Sequence, residues 1–129
     1  MAQLYPAVGI LFAAALAMDD LHDLQLDYLT DLRPTMDQIR EHSQRLATQS
    51  GFGTAFPSLL FLAHQLKGSG GSLGFPRISE LAGRMREELN LFLDHEQVSP
   101  PTLPELSERL LALSSELDRE VREAKHALT

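Results

Sequence analysis

A histidine, a lysine and a glycine lie close together in residues 63–74, AHQLKGSGGSLG. Lys67 and Gly68 follow His64 by three and four residues, and residues at these spacings are neighbours on the surface of a helix. An imidazole is a nucleophile, an ammonium group neutralises an anion placed on it, and a glycine leaves room for a partner. The spacing therefore predicts one local patch at which His64 accepts an anionic group.

The helical wheel places this patch opposite a core stripe. At about 100° per residue, the side of the helix away from His64 carries Leu59, Leu62, Ala63, Leu66, Ser69, Gly70 and Leu73. The residues within about 60° of His64 by the same geometry are Leu60, Lys67, Gly68 and Gly71, with Phe61 at the edge. This period is typical of an amphipathic helix, so we expect His64 to point away from the core.

Several glycines inside one predicted helix need a physical reason. Glycine in a helix costs about 1 kcal/mol relative to alanine, and this helix contains Gly68, Gly70 and Gly71. Close approach of another body would supply that reason. We predict that a neighbouring helix approaches Gly70, and that a docking protein approaches Gly68 and Gly71.

The same stretch resembles the motif of the histidine-containing phosphotransfer (HPt) domain of bacterial and fungal phosphorelays. The family pattern, roughly A-H-x-L-K-G-x-(small)-x-x-L-G, is met by Ala63, His64, Leu66, Lys67, Gly68, Ser69, Leu73 and Gly74. The helix that follows in the family is matched by Ile78, Leu81, Ala82 and Leu89. The motif likeness covers about residues 58–90, and the helix pattern extends it to roughly 24–128.

This resemblance implies a function and its partners. His64 would accept a phosphoryl group on an imidazole nitrogen, Lys67 would help to hold it, and Gly68 would let a response-regulator receiver domain come close. The receiver domain would supply Mg²⁺, so the chain needs no cofactor of its own. A hybrid sensor histidine kinase is the other expected partner. The implied protein is a phosphotransfer intermediate without autonomous kinase activity.

The residues around the motif have a structural and a functional interpretation. Leu60 and Phe61 are either half-buried bundle residues or the rim of a docking surface, and Gln65 is a candidate contact to the phosphate or the partner. We include all three, with Gly71, in the predicted partner-binding surface. The other histidines lack a ligand spacing such as H-x-x-x-H, so we predict solvated side chains and no metal site for His22, His42, His95 and His126.

The composition limits the remaining function classes. A chain of 129 residues makes one domain with a sufficient core. The net charge of −7 and the absence of a lysine/arginine cluster argue against nucleic-acid binding. Zero cysteines exclude disulfides and thiol catalysis and fit a reducing cytoplasm. We find no phosphate-binding loop of the P-loop type, and the chain is too short for an additional ATP-binding kinase domain.

Residues 1–18 form a separate apolar N-terminal segment. Residues 4–18, LYPAVGILFAAALAM, are almost wholly apolar, but no lysine or arginine precedes them as in a secretory signal. The run is also shorter than the roughly 20 residues that span a bilayer. We expect an extra helix that packs on the bundle or forms a homodimer contact. The second alternative is a wrongly assigned first residue, with Met18 as the true one. The third is a signal peptide or a membrane anchor.

Residues 19–129 read as an HPt-like, all-α, antiparallel up-down four-helix bundle, because short connections join the predicted helices. The first helix covers Asp19 to Gln49, with a kink or a new start near Pro34. After a break at residues 51–53, Thr54 caps a second helix that has Pro57 in its first turn and ends near Gly74. Pro76 opens the third helix, and a capping-box pattern at residues 102–105 opens the fourth.

Two rival functions remain open at this point. One is a helical-bundle adaptor that binds a receiver or a kinase without carrying phosphate, and the presence of both His64 and Lys67 argues against it. The other is a bundle with an unrelated role, such as dimerisation through the apolar N-terminal segment.

Overall fold

The computed structural model describes residues 18–94 and 101–129, and almost all of these residues are helical. The helices are α1 (Met18–Asp31), α2 (Arg33–Arg45), α3 (Gln49–Ser72), α4 (Pro76–Leu93) and α5 (Leu103–Leu128). These two ranges contain no β-strand, so the predicted all-α class is confirmed. The predicted N-terminal segment lies outside the described residues except for Met18, which begins α1.

Pro34 explains the division between α1 and α2. Only Leu32 separates the two helices, and Pro34 lies in the first turn of α2. Proline has no amide hydrogen, and within a continuous helix its ring would clash with the carbonyl of Thr30, four residues earlier. The first helix therefore ends before Leu32 and a new helix begins after it. A new start is one of the two outcomes expected near Pro34.

The predicted start of α3 was wrong. The helix begins at Gln49, and the hydroxyl of Thr48, not Thr54, accepts a hydrogen bond from the amide of Gly51 at 3.2 Å. The predicted break at residues 51–53 lies inside the helix, and so does Pro57. Pro57 removes the helical hydrogen bond to the carbonyl of Gly53. Gly53 is exposed, so water can hydrate that carbonyl and the helix continues.

The turn between α3 and α4 follows the prediction. Gly74 has a φ of +89°, the left-handed conformation that favours glycine after a helix end. The amide of Phe75 donates to the carbonyl of Gly70 at 2.7 Å, and the amide of Gly74 donates to that of Gly71 at 3.3 Å. These two bonds form a Schellman motif. Pro76 then begins α4, as predicted.

One hydrophobic core lies between the helices. Helix α2 contacts α3 and α5, and α4 contacts the same two helices, so these four enclose the core. The helical spacing of apolar residues predicts the inward positions of every helix. The predicted positions that are buried are Leu32, Met36, Ile39, Leu46, Leu59, Ala63, Leu66, Ile78, Leu81, Met85, Leu89, Leu106, Leu110, Leu117 and Val121. The predicted core residues Leu21, Leu24, Tyr28, Phe92 and Leu113 are only half-buried.

Polar contacts define how neighbouring helices are aligned. The hydroxyl of Ser107, early in α5, donates to the carbonyl of Ser43, late in α2, at 2.6 Å. At the other end, Arg33 begins α2 and forms an ion pair at 3.1 Å with Asp118, further along α5. The start of α5 is thus level with the end of α2. The capping prediction at Thr102 is also correct, because its hydroxyl accepts from the amide of Glu105 at 3.3 Å.

Candidate functional site

His64 lies near the middle of α3, and its side chain is exposed. The neighbouring positions Ala63 and Leu66 are buried in the core, so the helix turns His64 to the outside. This is the orientation that the helical wheel predicts. Within the described ranges the imidazole has no hydrogen bond or ion pair. Both ring nitrogens are therefore open to a molecule arriving from solvent.

Lys67 lies one turn after His64, and its side chain extends over α4. Its Cδ and Cε atoms lie 3.7 Å from the position that a Cβ on Gly83 would occupy, and its Nζ atom lies 4.0 Å from it. The hydroxyl of Ser79 donates to the main-chain carbonyl of Lys67 at 2.8 Å and ties α3 to α4 at this level. No carboxylate of the described residues lies within 4.0 Å of the ammonium group, so its charge is not compensated by an ion pair.

The glycines after His64 have different surroundings. A Cβ on Gly68 would meet no atom of the described residues within 4 Å, although Gly68 lies inside a helix. A Cβ on Gly70 would lie 3.0 Å from Cγ2 of Ile78 and 3.2 Å from the amide nitrogen of Ser79. Gly70 therefore permits the close approach of α4, as predicted. A Cβ on Gly71 would lie 3.5 Å from the Ser79 hydroxyl, an ordinary contact.

The predicted rim residues surround His64 on α3. Phe61 is 60% exposed, the largest exposed fraction among the large hydrophobic side chains of the described residues. Leu60 is half-buried and packs against the core, which is the structural interpretation that the sequence left open. Gln65 is exposed. An apolar surface therefore lies within one turn before the imidazole, and the open position at Gly68 lies one turn after it.

A shallow groove runs between Lys67 and α4. Its walls include Ser79, Glu80, Gly83, Arg84 and Asn90. One oxygen of the Glu80 carboxylate is bound by two arginines, Arg77 and Arg84, each at 3.1 Å. Sequence analysis missed Ser79, Glu80 and Gly83 as neighbours of Lys67. The available signal was Gly83 itself, a glycine inside a predicted helix.

The family model of the Hpt domain matches residues 23–127. This chain belongs to the Hpt domain family. The resemblance seen around His64 is thereby confirmed and covers α1 to α5. Neither the curated proteins nor the solved structures gave a match. An Hpt domain serves histidine phosphotransfer in two-component signalling, which is the general function of this chain.

The first helix of this Hpt domain is fastened to the end of α3. The side chain of Gln25 donates to the carbonyl of Leu73 at 2.8 Å, and the hydroxyls of Tyr28 and Ser69 are hydrogen-bonded at 2.6 Å. The ring of Tyr28 stacks on Phe75 with centroids 5.9 Å apart. Burial raises the pKa of Tyr28, while the hydrogen bond to Ser69 acts in the opposite direction.

Neither a metal cluster nor a membrane-spanning helix occurs in the described ranges of the Hpt domain. These ranges contain no group of three or more histidine, cysteine, aspartate or glutamate residues arranged to hold a metal ion. None of their helices combines the length and the apolar character needed to cross a membrane. His95 lies outside these ranges.

Proposed function

We propose that this Hpt domain relays a phosphoryl group between His64 and the aspartates of response-regulator receiver domains in a two-component phosphorelay. The observation that carries the proposal is the pairing of an exposed His64 with an open Gly68 one turn later. Glycine inside a helix costs about 1 kcal/mol relative to alanine, and no packing among the described residues requires it here. A partner that approaches the helix at His64 accounts for the missing side chain.

The proposed step is a direct phosphoryl transfer between two side chains. The unprotonated nitrogen of the neutral His64 imidazole attacks the phosphorus of an aspartyl phosphate on the receiver. A nitrogen–phosphorus bond forms while the bond from phosphorus to the aspartyl oxygen breaks, and its electron pair leaves with the carboxylate. The reverse step returns the group to a receiver. Protein groups contribute mainly positioning and charge neutralisation to such a transfer, and the receiver supplies the Mg²⁺.

Lys67 is the residue of this chain that we assign to charge neutralisation. Its ammonium group is exposed and forms no ion pair with the described carboxylates, so it is available to a phosphoryl group on His64. A hydrogen bond between two charged groups is stronger than one between neutral groups. Gln65 is a second candidate contact to the phosphoryl group. Leu60, Phe61 and Gly71 complete the proposed partner-binding surface.

The topology of the bundle, its location in the cell and a second partner are part of the same proposal. We propose an antiparallel up-down bundle, which is supported by the alignment of α2 with α5 at Ser43–Ser107 and Arg33–Asp118. We also propose that the domain acts in the cytoplasm, with a hybrid sensor histidine kinase as a second partner. It would act as a phosphorylated intermediate and not as an autonomous kinase.

Transfer from a radiolabelled, phosphorylated receiver domain in the presence of Mg²⁺ tests the proposal. We expect wild type to acquire acid-labile, alkali-stable label and the His64→Gln variant to acquire none, with unchanged helical content because the side chain is exposed. His126→Gln is the matched control, since His126 is also an exposed helical histidine and lies near the end of α5. It should be labelled like wild type.

Two results would contradict this assignment. Labelling of His64→Gln at the wild-type level would show that another residue is the acceptor. A folded wild-type protein that takes no label from several receivers would favour the adaptor function, in which the bundle binds a receiver or kinase without carrying phosphate.

A further inference from the structure

Gly83 lies inside α4, and the backbone conformation at this position does not require a glycine. Among the described glycines only Gly74 has a positive φ, so the backbone at Gly83 is one that any residue can adopt. The position is half-buried and faces α3 across the groove. What a small residue provides at this position is the space that it leaves beside α3.

That space is occupied by the side chain of Lys67. Within 4 Å of a Cβ built on Gly83, the nearest atoms are Cδ, Cε and Nζ of Lys67, at 3.7, 3.7 and 4.0 Å. The aliphatic stem of Lys67 thus lies across α4 at Gly83. The main chain of Lys67 is held at the same level by the bond from the Ser79 hydroxyl to its carbonyl. Glu80, the carboxylate one turn before Gly83, is bound by Arg77 and Arg84.

We propose that Gly83 is a positioning residue for phosphoryl transfer. The absence of atoms beyond the Cβ position leaves a seat in which Lys67 lies along α4, one turn from His64, with its ammonium group free of the described carboxylates. Gly83 itself does not contact the phosphoryl group. This inference rests on the proposed transfer at His64, and it adds a residue of α4 to a site that otherwise lies on α3.

The size of a substituent at Gly83 decides its effect. A methyl group would lie in ordinary van der Waals contact with Lys67, so Gly83→Ala leaves the lysine in place. A leucine side chain continues beyond Cβ into the volume that the stem of Lys67 now fills. Gly83→Leu therefore turns Lys67 out of the seat. Both variants improve helix propensity in α4, so neither is expected to unfold the protein.

The first test measures label transfer and thermal unfolding of both variants. We expect Gly83→Leu to slow the initial rate of transfer by about tenfold or more, because small displacements of a catalytic group are costly. Gly83→Ala should transfer at close to the wild-type rate. The Tm of both variants should equal or exceed that of wild type. A glycine with a purely structural role would give the opposite result, a lower Tm with transfer lost in proportion.

Gly53→Leu is the matched control. Gly53 is also a helical glycine, and a Cβ at this position would meet no atom within 4 Å. It lies about 21 Å along α3 from Lys67 by the rise of the helix. Its substitution by leucine should leave transfer unchanged. Loss of transfer in this control would show that an added leucine acts non-specifically, and it would overturn the inference.

A double-variant test distinguishes an effect through Lys67 from direct obstruction of the receiver. If Gly83 acts through Lys67, Gly83→Leu has no additional effect in a Lys67→Ala background. An equal loss in both backgrounds would mean that leucine obstructs the receiver directly, and the inference would be wrong. Wild-type transfer by Gly83→Leu would also overturn it.

An NMR measurement tests the seat without any phosphoryl transfer. Nuclear Overhauser contacts between the ε-protons of Lys67 and residue 83 should be present at the α-protons of Gly83 in wild type and at the β-methyl protons of Gly83→Ala. They should be absent in Gly83→Leu. If the contacts are present but wild type accepts no phosphoryl group, the proposed function fails while the seat stands. If they are absent in wild type, the seat itself is refuted.

Discussion

Helix α3 keeps glycines for two different reasons, and the surroundings of each residue distinguish them. Gly70 is pressed against α4, where a Cβ would lie 3.0 Å from Ile78. Gly68 has nothing within 4 Å and lies one turn after an exposed histidine. The close packing of α3 on α4 explains Gly70. No described residue explains Gly68, and we propose that it serves the contact with a partner.

Replacing Gly68 by glutamine tests the second explanation. Because a Cβ at Gly68 would meet no atom of the described residues within 4 Å, the Gly68→Gln variant should be as stable as wild type or more stable by up to about 1 kcal/mol. Its phosphoryl transfer should be slower, since the added side chain stands between α3 and the receiver. Urea unfolding and transfer kinetics measure the two effects. Gly53→Gln is the control, and an unchanged transfer rate in Gly68→Gln would refute the docking role.

At the scale of the elements, the packing of α3 on α4 depends on Gly70. A Cβ there would also lie 3.2 Å from the amide nitrogen of Ser79, so the backbone of α4 would have to move. We expect Gly70→Ala to destabilise the protein by about 1–3 kcal/mol, the usual range for overpacking. Gly71→Ala is the comparison, because its Cβ would make only an ordinary contact with Ser79. Denaturant unfolding of both variants measures the difference, and equal stabilities would contradict this account.

The elements also show how far the sequence predicts this structure. Apolar periodicity identified most of the core, and Gly74, Pro76 and Thr102 marked helix ends correctly, because the signals there are local. The start of α3 was mispredicted because Pro57 and the nearby glycines are tolerated inside the helix. Gly51, for example, is buried in the first turn of α3, where a Cβ would collide with the main-chain carbonyl of Arg45 at the end of α2. At the candidate site, the orientation of His64 followed from periodicity. The contact between Lys67 and Gly83 joins two helices, and no spacing within one helix predicts it.

At the scale of the whole molecule, α1 is held to the bundle by side chains far apart in sequence. Tyr28 bonds to Ser69, 41 residues away, and Gln25 bonds to Leu73, 48 residues away. Both contacts reach the end of α3 that follows His64 and leads into the Schellman turn. Because the hydroxyl of Tyr28 is partly buried, its protonation is coupled to folding of the whole chain.

The pH dependence of unfolding follows from this coupling. Burial raises the pKa of Tyr28 above its ordinary value of 10.0, so in alkaline solution the folded state holds the phenolic proton more tightly than the unfolded state. The stability contributed by the neutral phenol is complete below the unfolded pKa and is lost as pH rises through the folded pKa. We therefore expect wild type to lose stability above about pH 10 more steeply than Tyr28→Phe, which has no phenolic proton at this site.

The comparison between the two proteins isolates Tyr28, because lysines and the other tyrosine titrate in both. Near neutral pH, Tyr28→Phe should be less stable by about 1 kcal/mol, the usual net contribution of one hydrogen bond, since the bond between Tyr28 and Ser69 is lost. The difference should shrink as the pH rises, because ionisation of Tyr28 penalises only wild type. Urea unfolding at a series of alkaline pH values measures this convergence. A constant difference across the series would mean that the phenol is solvated as well in the folded protein as in the unfolded chain, which would contradict a raised pKa of Tyr28.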